Sequence, residues 1–247
     1  MQVIFLGTNG WFDTDTGNTI CTLIKTKTCN IILDAGFGIY KADRYLENKN
    51  PTFLFLSHLH LDHTVGMHAL AKFKFPKGLT VITPVGTKTA LNKIIAQPFT
   101  IAFKNLSFKV NVLCAKKQMR FAQGRVQTAE LVHQSRCFGY RFEFQNKVIT
   151  YCTDTGVCEN ILKLAQGADL LITECALRQD QDDQGWPHLD PTHAANLAKK
   201  SKARKLVLTH FDADNYPTKK ARQKAQVFAK KIFPQTLAAY DSMKLSV

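Results

Sequence analysis

This 247-residue chain contains short apolar, β-prone runs and segments with a helical pattern. The predicted strands come first and the helices follow, and this order occurs twice along the chain. We predict strands at Val3–Leu6, Ile20–Lys25, Asn30–Asp34, Thr52–Ser57, Thr80–Thr83, Asn105–Val112, Gln127–Leu131, Phe138–Phe144, Lys147–Cys152, Leu170–Glu174 and Lys205–Thr209. We predict helices at Gly66–Lys72, Thr87–Ala96, Asn160–Gln166, Thr192–Ser201 and Lys219–Lys231. This order favours two similar halves packed sheet against sheet with helices outside, a four-layer αββα sandwich of the α/β (α+β) class. No low-complexity linker separates the halves, so we predict one domain over residues 1–247.

The segment His58–His63 concentrates metal-binding side chains where a predicted strand ends and a helix begins. Four of its six residues carry an imidazole or a carboxylate, and the other two are leucines. In α/β sheets ligands bind at this end of the strands. Because buried polar groups without partners are costly, a strand end does not collect so many of them without a ligand. The segment therefore predicts two ligands for each of two adjacent metal ions.

Three more polar residues, His133, Asp154 and His210, each follow an apolar run in the same way as His58. We expect His133 to complete one ion site with His58 and His60. We expect His210 to complete the other with Asp62 and His63. Asp154 can bridge the two ions because a carboxylate offers two oxygens. The His-rich, thiolate-free donor set suits zinc, with manganese or iron as alternatives, and two such ions can share a bridging hydroxide.

The composition describes an ordinary soluble globular protein with a strong positive charge. Apolar residues make up 45% and charged residues 21% of the chain, and no apolar run approaches the roughly 20 residues that span a bilayer. The N-terminal residues lack the pattern of a signal peptide, and the seven cysteines show no C-x-x-C pair, so we expect a cytoplasmic protein with reduced, non-catalytic thiols. The net charge of +14 favours an anionic substrate, including nucleic acid, although lysines on solvated helix faces would produce the same excess.

His58–His63 matches the H-x-H-x-D-H signature, and the chain resembles the metallo-β-lactamase superfamily. Within it, four further segments resemble the ribonuclease Z and cyclic-phosphodiesterase branch: Phe5–Thr8, Leu33–Gly36, Tyr151–Gly156 and Leu208–Phe211. The resemblance covers nearly the whole chain and implies the same seven metal ligands. It is specific for the fold and the metal site, and much less so for the substrate. Branch members often form dimers, so a homodimer is also implied.

His188 stands where the ribonuclease Z-like branch has a histidine that contacts the substrate phosphate and can protonate the leaving group. It lies in a loop just before a predicted helix, whose N-terminus attracts anions; packing of the turn is the alternative role. Glu174, in Thr173–Ala176, stands where those enzymes have a His-Glu-Ala-Thr segment, and it can orient His188. His68 and His193 are expected to be structural or surface residues.

The resemblance is incomplete in two respects. The segment Thr173–Ala176 lacks the histidine of the His-Glu-Ala-Thr segment and has Cys175 where none is expected. Ribonuclease Z enzymes that process tRNA carry a long arm between the positions of His133 and Asp154. Only 20 residues intervene here, and Arg136–Lys147 has the pattern of a tight strand pair. Cleavage of precursor tRNA is therefore an alternative rather than the leading function.

We predict an enzyme, a dinuclear metal-dependent phosphodiesterase that acts on a small cyclic phosphodiester or on short or single-stranded nucleic acid. Asp62 would accept a proton from the attacking water, and His188 would donate one to the leaving oxygen. Trp11 and Phe12 are predicted to contact the substrate, by stacking on a base or covering an apolar group, with packing of the rim as the alternative. The first competing function is hydrolysis of a carboxylic ester, lactone or thioester. The second is nucleic-acid binding around an inactive metal site, against which the complete ligand set argues.

Overall fold

Two seven-stranded sheets form the middle of the molecule in the computed structural model, which describes residues 1–247. The first sheet contains, in spatial order, β16 (Lys244–Ser246), β1 (Gln2–Gly7), β3 (Cys21–Lys25), β4 (Asn30–Leu33), β5 (Thr52–Phe55), β6 (Leu79–Thr83) and β7 (Val110–Cys114). The second contains β15 (Thr236–Ala238), β13 (Leu206–Thr209), β12 (Leu170–Glu174), β11 (Lys147–Cys152), β10 (Phe138–Phe144), β9 (Gly124–Glu130) and β8 (Gln118–Phe121). A small parallel pair joins β2 (Asn9–Gly10) to β14 (Phe211–Asp212).

Helices cover the outer face of each sheet. The α-helices are α1 (Leu61–Thr64), α2 (Lys88–Ile94), α3 (Glu159–Ala165), α4 (Pro191–Lys200) and α5 (Lys219–Lys230). Three 3₁₀ segments span Phe37–Arg44, Val65–Lys72 and Phe103–Asn105. None of these helices is both long enough and apolar enough to cross a membrane.

The buried side chains form three layers of core, as a four-layer sandwich requires. Along β1, Val3 and Phe5 belong to the cluster between the two sheets, which also contains Tyr140 and Tyr151 of the second sheet. The alternate residues of β1 pack outward among the helices of the first half, because successive side chains of a strand point to opposite faces. A third cluster joins the outer face of the second sheet to α3, α4 and α5. The predicted αββα architecture is thus confirmed.

The boundaries differ from the prediction mainly at one strand. Asn105–Val112 was predicted to be extended, but a 3₁₀ turn ends at Asn105 and β7 starts only at Val110. The reason is register: β7 pairs with β6, beginning with Leu79 opposite Val110, so the preceding residues have no strand to pair with. Gly66–Lys72 is a 3₁₀ rather than an α-helical segment. The short strands β2, β8, β14, β15 and β16 were not predicted.

The chemistry-bearing residues collect at one edge of this sandwich. β4, β5 and β6 run parallel in the first sheet, and β11, β12, β13 and β15 run parallel in the second. His58 follows β5, Asp154 follows β11 and His210 follows β13. Because the carboxyl ends of parallel strands meet at one edge of a sheet, loops far apart in sequence converge there.

Candidate functional site

The seven predicted ligands come together in two groups at this edge. His58, His60, His133 and Asp154 offer ligand atoms within 4.8 Å of one another, and so do Asp62, His63 and His210. Asp154 lies between the groups. Its Oδ1 is 3.1 Å from His63 Nε2 and 3.2 Å from His210 Nε2. Its Oδ2 faces the other group, 3.8 Å from His58 Nε2 and 3.9 Å from His133 Nε2. The two oxygens of one carboxylate are therefore presented to two different sites.

The donor atoms have the spacing and the chemistry that divalent metal ions require. Four nitrogens around a zinc ion at ~2.0–2.1 Å lie about 3.3 Å apart. The nitrogens of His63 and His210 are 3.1 Å apart, and those of His60 and His133 are 3.4 Å apart. His58 Nε2 is buried without a hydrogen-bond partner in the protein, which is costly unless an ion takes its lone pair. The site thus fits two divalent ions.

The titration of these groups agrees with a ligand role. Burial lowers the pKa of His58 well below its usual value, and the neighbouring His63 lowers it further, so the imidazole is neutral as a ligand must be. Burial raises the pKa of Asp154, but His210, His63 and His58 outweigh this and hold it well below its usual value. The carboxylate is therefore ionised and available to a cation.

A buried network behind the site fixes the orientation of His63. Asp34 Oδ2 lies 2.9 Å from His63 Nδ1 and accepts hydrogen bonds from Ser57 Oγ at 2.8 Å and from the Tyr151 hydroxyl at 2.6 Å. This pairing turns Nε2 of His63 toward the other ligands, the usual arrangement behind a metal-bound histidine. The resemblance pointed to Leu33–Gly36 as a turn, but the contacts of Asp34 with three side chains more than 20 residues away could only be seen in the fold.

Several residues at the site adopt left-handed backbone conformations that non-glycine residues rarely take. Asp34, Asp154 and His210 have φ values of 55°, 50° and 49°. Gly10 of β2 lies directly against His210: a Cβ on Gly10 would be 2.5 Å from His210 Cε1. The small β2–β14 sheet therefore brings the N-terminal loop into contact with the predicted ligand His210, an arrangement that needs glycine at position 10.

His188 stands beside both ligand groups. Its ring centroid is 5.3 Å from that of His133 and 6.1 Å from that of His210. Its Nδ1 lies 2.8 Å from Glu174 Oε1, and Glu174 is fully buried. Burial lowers the pKa of His188, but the Glu174 carboxylate outweighs this and raises it to about 9. The contact with Glu174 occupies Nδ1 and leaves Nε2 of His188 for the cavity.

A cavity of about 570 Å³ opens over the ligands. Besides five of the ligands and His188, it is lined by Gly10, Trp11, Ala176, Leu177, Gln181, Gln184, Trp186, Asp212 and Asn215. Trp11 is 65% exposed, and its backbone N–H donates to Asp62 Oδ2 at 2.9 Å. Phe12, predicted to contact the substrate, does not line this cavity. The turn at Trp11, which has a φ of 70°, directs the Phe12 ring edge-on against the Trp11 ring instead.

Comparison with known proteins places the chain in a family. The model of the "Beta-lactamase superfamily domain" matches residues 29–211, most of the chain. The chain belongs to the metallo-β-lactamase superfamily. Among its relatives is a protein named ribonuclease Z from Clostridium tetani, 25% identical over an alignment that covers 100% of this chain and 98% of the relative. The predicted family, its ribonuclease Z-like branch and a metal-dependent hydrolase activity are thereby confirmed.

Two solved structures share the fold of this chain at low sequence identity. The metallo-β-lactamase fold protein YhfI from Bacillus subtilis is 19% identical with a TM-score of 0.83, covering 99% of this chain and 98% of that one. Human tRNase Z, short form, is 22% identical with a TM-score of 0.78, covering 100% of this chain and 99% of that one.

This superfamily member has a tight hairpin between His133 and Asp154. β10 and β11 are antiparallel, with Phe144 paired to Lys147, so only Gln145 and Asn146 form the turn. Both turn residues have positive φ values, 53° and 57°, as a two-residue hairpin turn requires. No arm extends from this position.

Sequence reasoning missed several residues of the site. Trp186, Gln181 and Gln184 lie in a loop without periodicity, and Asn215 follows β14, so no pattern singled them out. One signal was available: Trp11 and Trp186 are the only tryptophans of the chain, and Trp186 lies two residues before His188.

Proposed function

We propose that this hydrolase cleaves phosphodiesters, with a small cyclic diester or a short or single-stranded nucleic acid as substrate. The observation that carries the proposal is His188, an imidazole held by buried Glu174 beside the predicted metal ligands. Acyl hydrolysis on this scaffold does not need a histidine at that position. A phosphodiester, in contrast, has an anionic group that His188 can bind and an alkoxide leaving group that His188 can protonate.

The metal ligands, Asp62 and His188 each have a distinct role in the proposed reaction. Two divalent ions held by the seven ligands would supply Lewis-acid chemistry, neutralising developing charge on phosphate oxygens and lowering the pKa of water. His63 and His210 hold the pKa of Asp62 well below its usual value despite its burial, so Oδ2 is ionised and can accept the proton that the attacking water loses. His188 Nε2 donates a proton to the leaving oxygen, and Glu174 stabilises the charged imidazolium before that transfer.

The charge of the chain and its relatives support a phosphorus substrate. The net charge is +14, and the residues from His193 onward carry 12 Lys or Arg against three Asp. A surface with this bias attracts polyanions and raises their association rate. Relatives named ribonuclease Z match over nearly their whole length.

The test compares two phosphodiesters that differ in their leaving group, using zinc- and manganese-loaded protein. In a 2′,3′-cyclic nucleotide the leaving group is an alkoxide that needs a proton, while in bis(p-nitrophenyl) phosphate it departs unprotonated. We expect His188→Ala to lower kcat on the cyclic nucleotide by about 10²–10⁴-fold, the usual contribution of general acid catalysis, and much less on the aryl diester. His68→Ala, a control at an exposed histidine, is expected to match the wild type.

One result would contradict the phosphodiesterase function, and another would contradict the acid role of His188. If the metal-loaded protein hydrolyses neither diester, the assignment moves to carboxylic esters, lactones or thioesters. If His188→Ala loses the same factor on both diesters, His188 binds the phosphate but does not protonate the leaving group.

A second candidate is the maturation of precursor tRNA, favoured by the relatives named ribonuclease Z. The alignment with one of them spans 316 positions, more than the 247 residues of this chain, so that relative has segments that are absent here. Together with the two-residue hairpin turn after β10, this favours the smaller substrates. If the protein cleaves a precursor tRNA with a higher kcat/KM than a short oligonucleotide, tRNA maturation becomes the leading candidate function.

A further inference from the structure

The two tryptophans of the chain are 175 positions apart in sequence, yet both line the cavity over the ligands. The Trp11 backbone contacts Asp62, so this residue lies beside the Asp62–His63–His210 group. The Trp186 ring lies 6.3 Å from the His60 ring and 6.4 Å from the His133 ring, beside the other group. The site therefore has a different tryptophan residue next to each of its two halves.

Trp186 is exposed, although the backbone around it is held firmly. The ring is 54% exposed to solvent. The Trp186 N–H donates to the Asp183 carbonyl at 2.8 Å, and the Gly185 N–H donates to Asp183 Oδ1 at 2.9 Å. Gln134, next to the ligand His133, donates through Nε2 to the Gly185 carbonyl. An ordered backbone that presents a large apolar ring to water beside a reactive site is a preorganised binding surface.

The rest of the lining excludes a long apolar substituent. Apart from the two tryptophans, only Ala176 and Leu177 are apolar among the 15 lining residues. An alkyl or acyl chain would need a continuous apolar wall, which these two side chains do not provide. A flat, polar-edged ring needs only a stacking face and hydrogen-bonding groups at its edge.

Such hydrogen-bonding groups are present in three amide side chains of the lining. Gln181 uses Oε1 to accept from the Arg178 N–H, which leaves its NH₂ as a donor for the cavity. Asn215 uses its NH₂ to donate to the Ala176 carbonyl, which leaves Oδ1 as an acceptor. Gln184 makes no side-chain hydrogen bond within the protein. Donors and acceptors in one cavity suit the edge of a nucleobase, which carries both.

We propose that Trp186 is the stacking platform for a nucleobase of the substrate, so that the diester hydrolysed at this site is a nucleoside phosphodiester and not an alkyl one. This inference rests on the proposed phosphodiesterase function and narrows its substrate class. Gln181, Gln184 and Asn215 face the edge of the stacked base, and the phosphate of the same nucleotide reaches the ligands of the His58 group.

Binding is tested without turnover by tryptophan fluorescence of the full-length, metal-loaded protein. Because there are only two tryptophans, Trp11→Phe leaves Trp186 as the sole emitter. We expect adenosine monophosphate to quench this emission saturably, and glycerol phosphate, which has no ring to stack, to leave it unchanged. Trp186→Phe, in which only Trp11 emits, reports whether the quenching is particular to Trp186.

Kinetics supply the second arm. We compare kcat/KM for 2′,3′-cyclic adenosine monophosphate with that for bis(p-nitrophenyl) phosphate and for a cyclic alkyl diester. Trp186→Ala is expected to lower the preference for the nucleotide over the alkyl diester by about five- to a hundredfold, the usual range for one base stacked on one aromatic ring, through KM rather than kcat. Trp186→Phe keeps a stacking face and is expected to retain most of the preference.

The outcomes separate this inference from the proposed function. If the protein hydrolyses diesters, but Trp186 emission is not quenched and Trp186→Ala keeps the wild-type preference for the nucleotide, the stacking role of Trp186 is wrong and the phosphodiesterase function stands. If adenosine monophosphate quenches the emission saturably in a protein that hydrolyses no diester, the stacking role is supported and the phosphodiesterase function is wrong.

Discussion

At the scale of single residues, the Glu174–His188 pair determines how the activity should depend on pH. The Glu174 carboxylate accepts hydrogen bonds from the Thr155 N–H at 2.6 Å and from the Ala176 N–H at 3.2 Å. Its Oε1 lies 2.8 Å from His188 Nδ1. The carboxylate therefore organises the loop after Asp154 as well as the imidazole. An acid held in this way keeps its proton to higher pH than a free histidine.

We predict that Glu174→Gln moves the alkaline limb of the pH profile to lower pH. The carboxylate raises the pKa of His188 to about 9, so its removal lets that pKa fall and the acid loses its proton at a lower pH. The measurement is log kcat/KM against pH for a 2′,3′-cyclic nucleotide, which reports the free enzyme. An alkaline limb at the same pH in wild type and variant would show that His188 is not the group that titrates.

At the residue scale, the convergence of the predicted ligands could be anticipated where the signal is local in sequence. His58–His63 stands out because four potential ligands in six residues follow one strand, and His133, Asp154 and His210 because each ends an apolar run. Asp34 was not recognised as the partner of His63, since that contact depends on a φ of 55° and on the packing of β4 beside β5. Contacts made by loop residues such as Trp186 have no periodicity to reveal them.

At the scale of elements, helix α5 does more than present a basic outer face. Arg222 on its inner face is 2% exposed and donates to Thr8 Oγ1 at 2.8 Å and to Asn9 Oδ1. Its guanidinium lies 5.0 Å from the Phe211 ring centroid. These contacts join α5 to β2 and β14, the small sheet that brings Gly10 against His210.

We predict that Arg222→Met lowers the free energy of unfolding by about 3 kcal/mol. The substitution leaves buried oxygens of Thr8 and Asn9 without this donor, and each buried polar group that loses its partner typically costs about 1–3 kcal/mol. Denaturant unfolding measures the change. Lys224→Met, on the exposed face of the same helix, is the control and should stay within about 0.5 kcal/mol of the wild type. Equal changes in the two variants would show that Arg222 has no special structural role.

Element boundaries were predictable where each strand has its own apolar pattern, and Phe138–Phe144, Lys147–Cys152 and Leu170–Glu174 match the structure residue for residue. Two-residue strands such as β2 and β14 depend on a partner far along the chain and have no pattern of their own. The start of β7 depends likewise on the length of β6.

At the scale of the whole molecule, the fold, the ligand groups and the positive charge point to one chemistry. Two sheets bring seven donors from four separate segments to one edge, and His188 stands beside them. The excess of positive charge could be read from the sequence, where the residues from His193 onward carry 12 Lys or Arg against three Asp.

The most direct test of the central claim is the specificity of one metal-loaded preparation for two p-nitrophenyl substrates. We compare kcat/KM for bis(p-nitrophenyl) phosphate and p-nitrophenyl acetate, each relative to its uncatalysed hydrolysis, with and without a chelator. The claim predicts a larger rate enhancement for the phosphodiester, lost on chelation and also in Asp154→Asn, which removes the carboxylate between the two ligand groups. A larger metal-dependent enhancement for the acetate would contradict it and identify an acyl hydrolase.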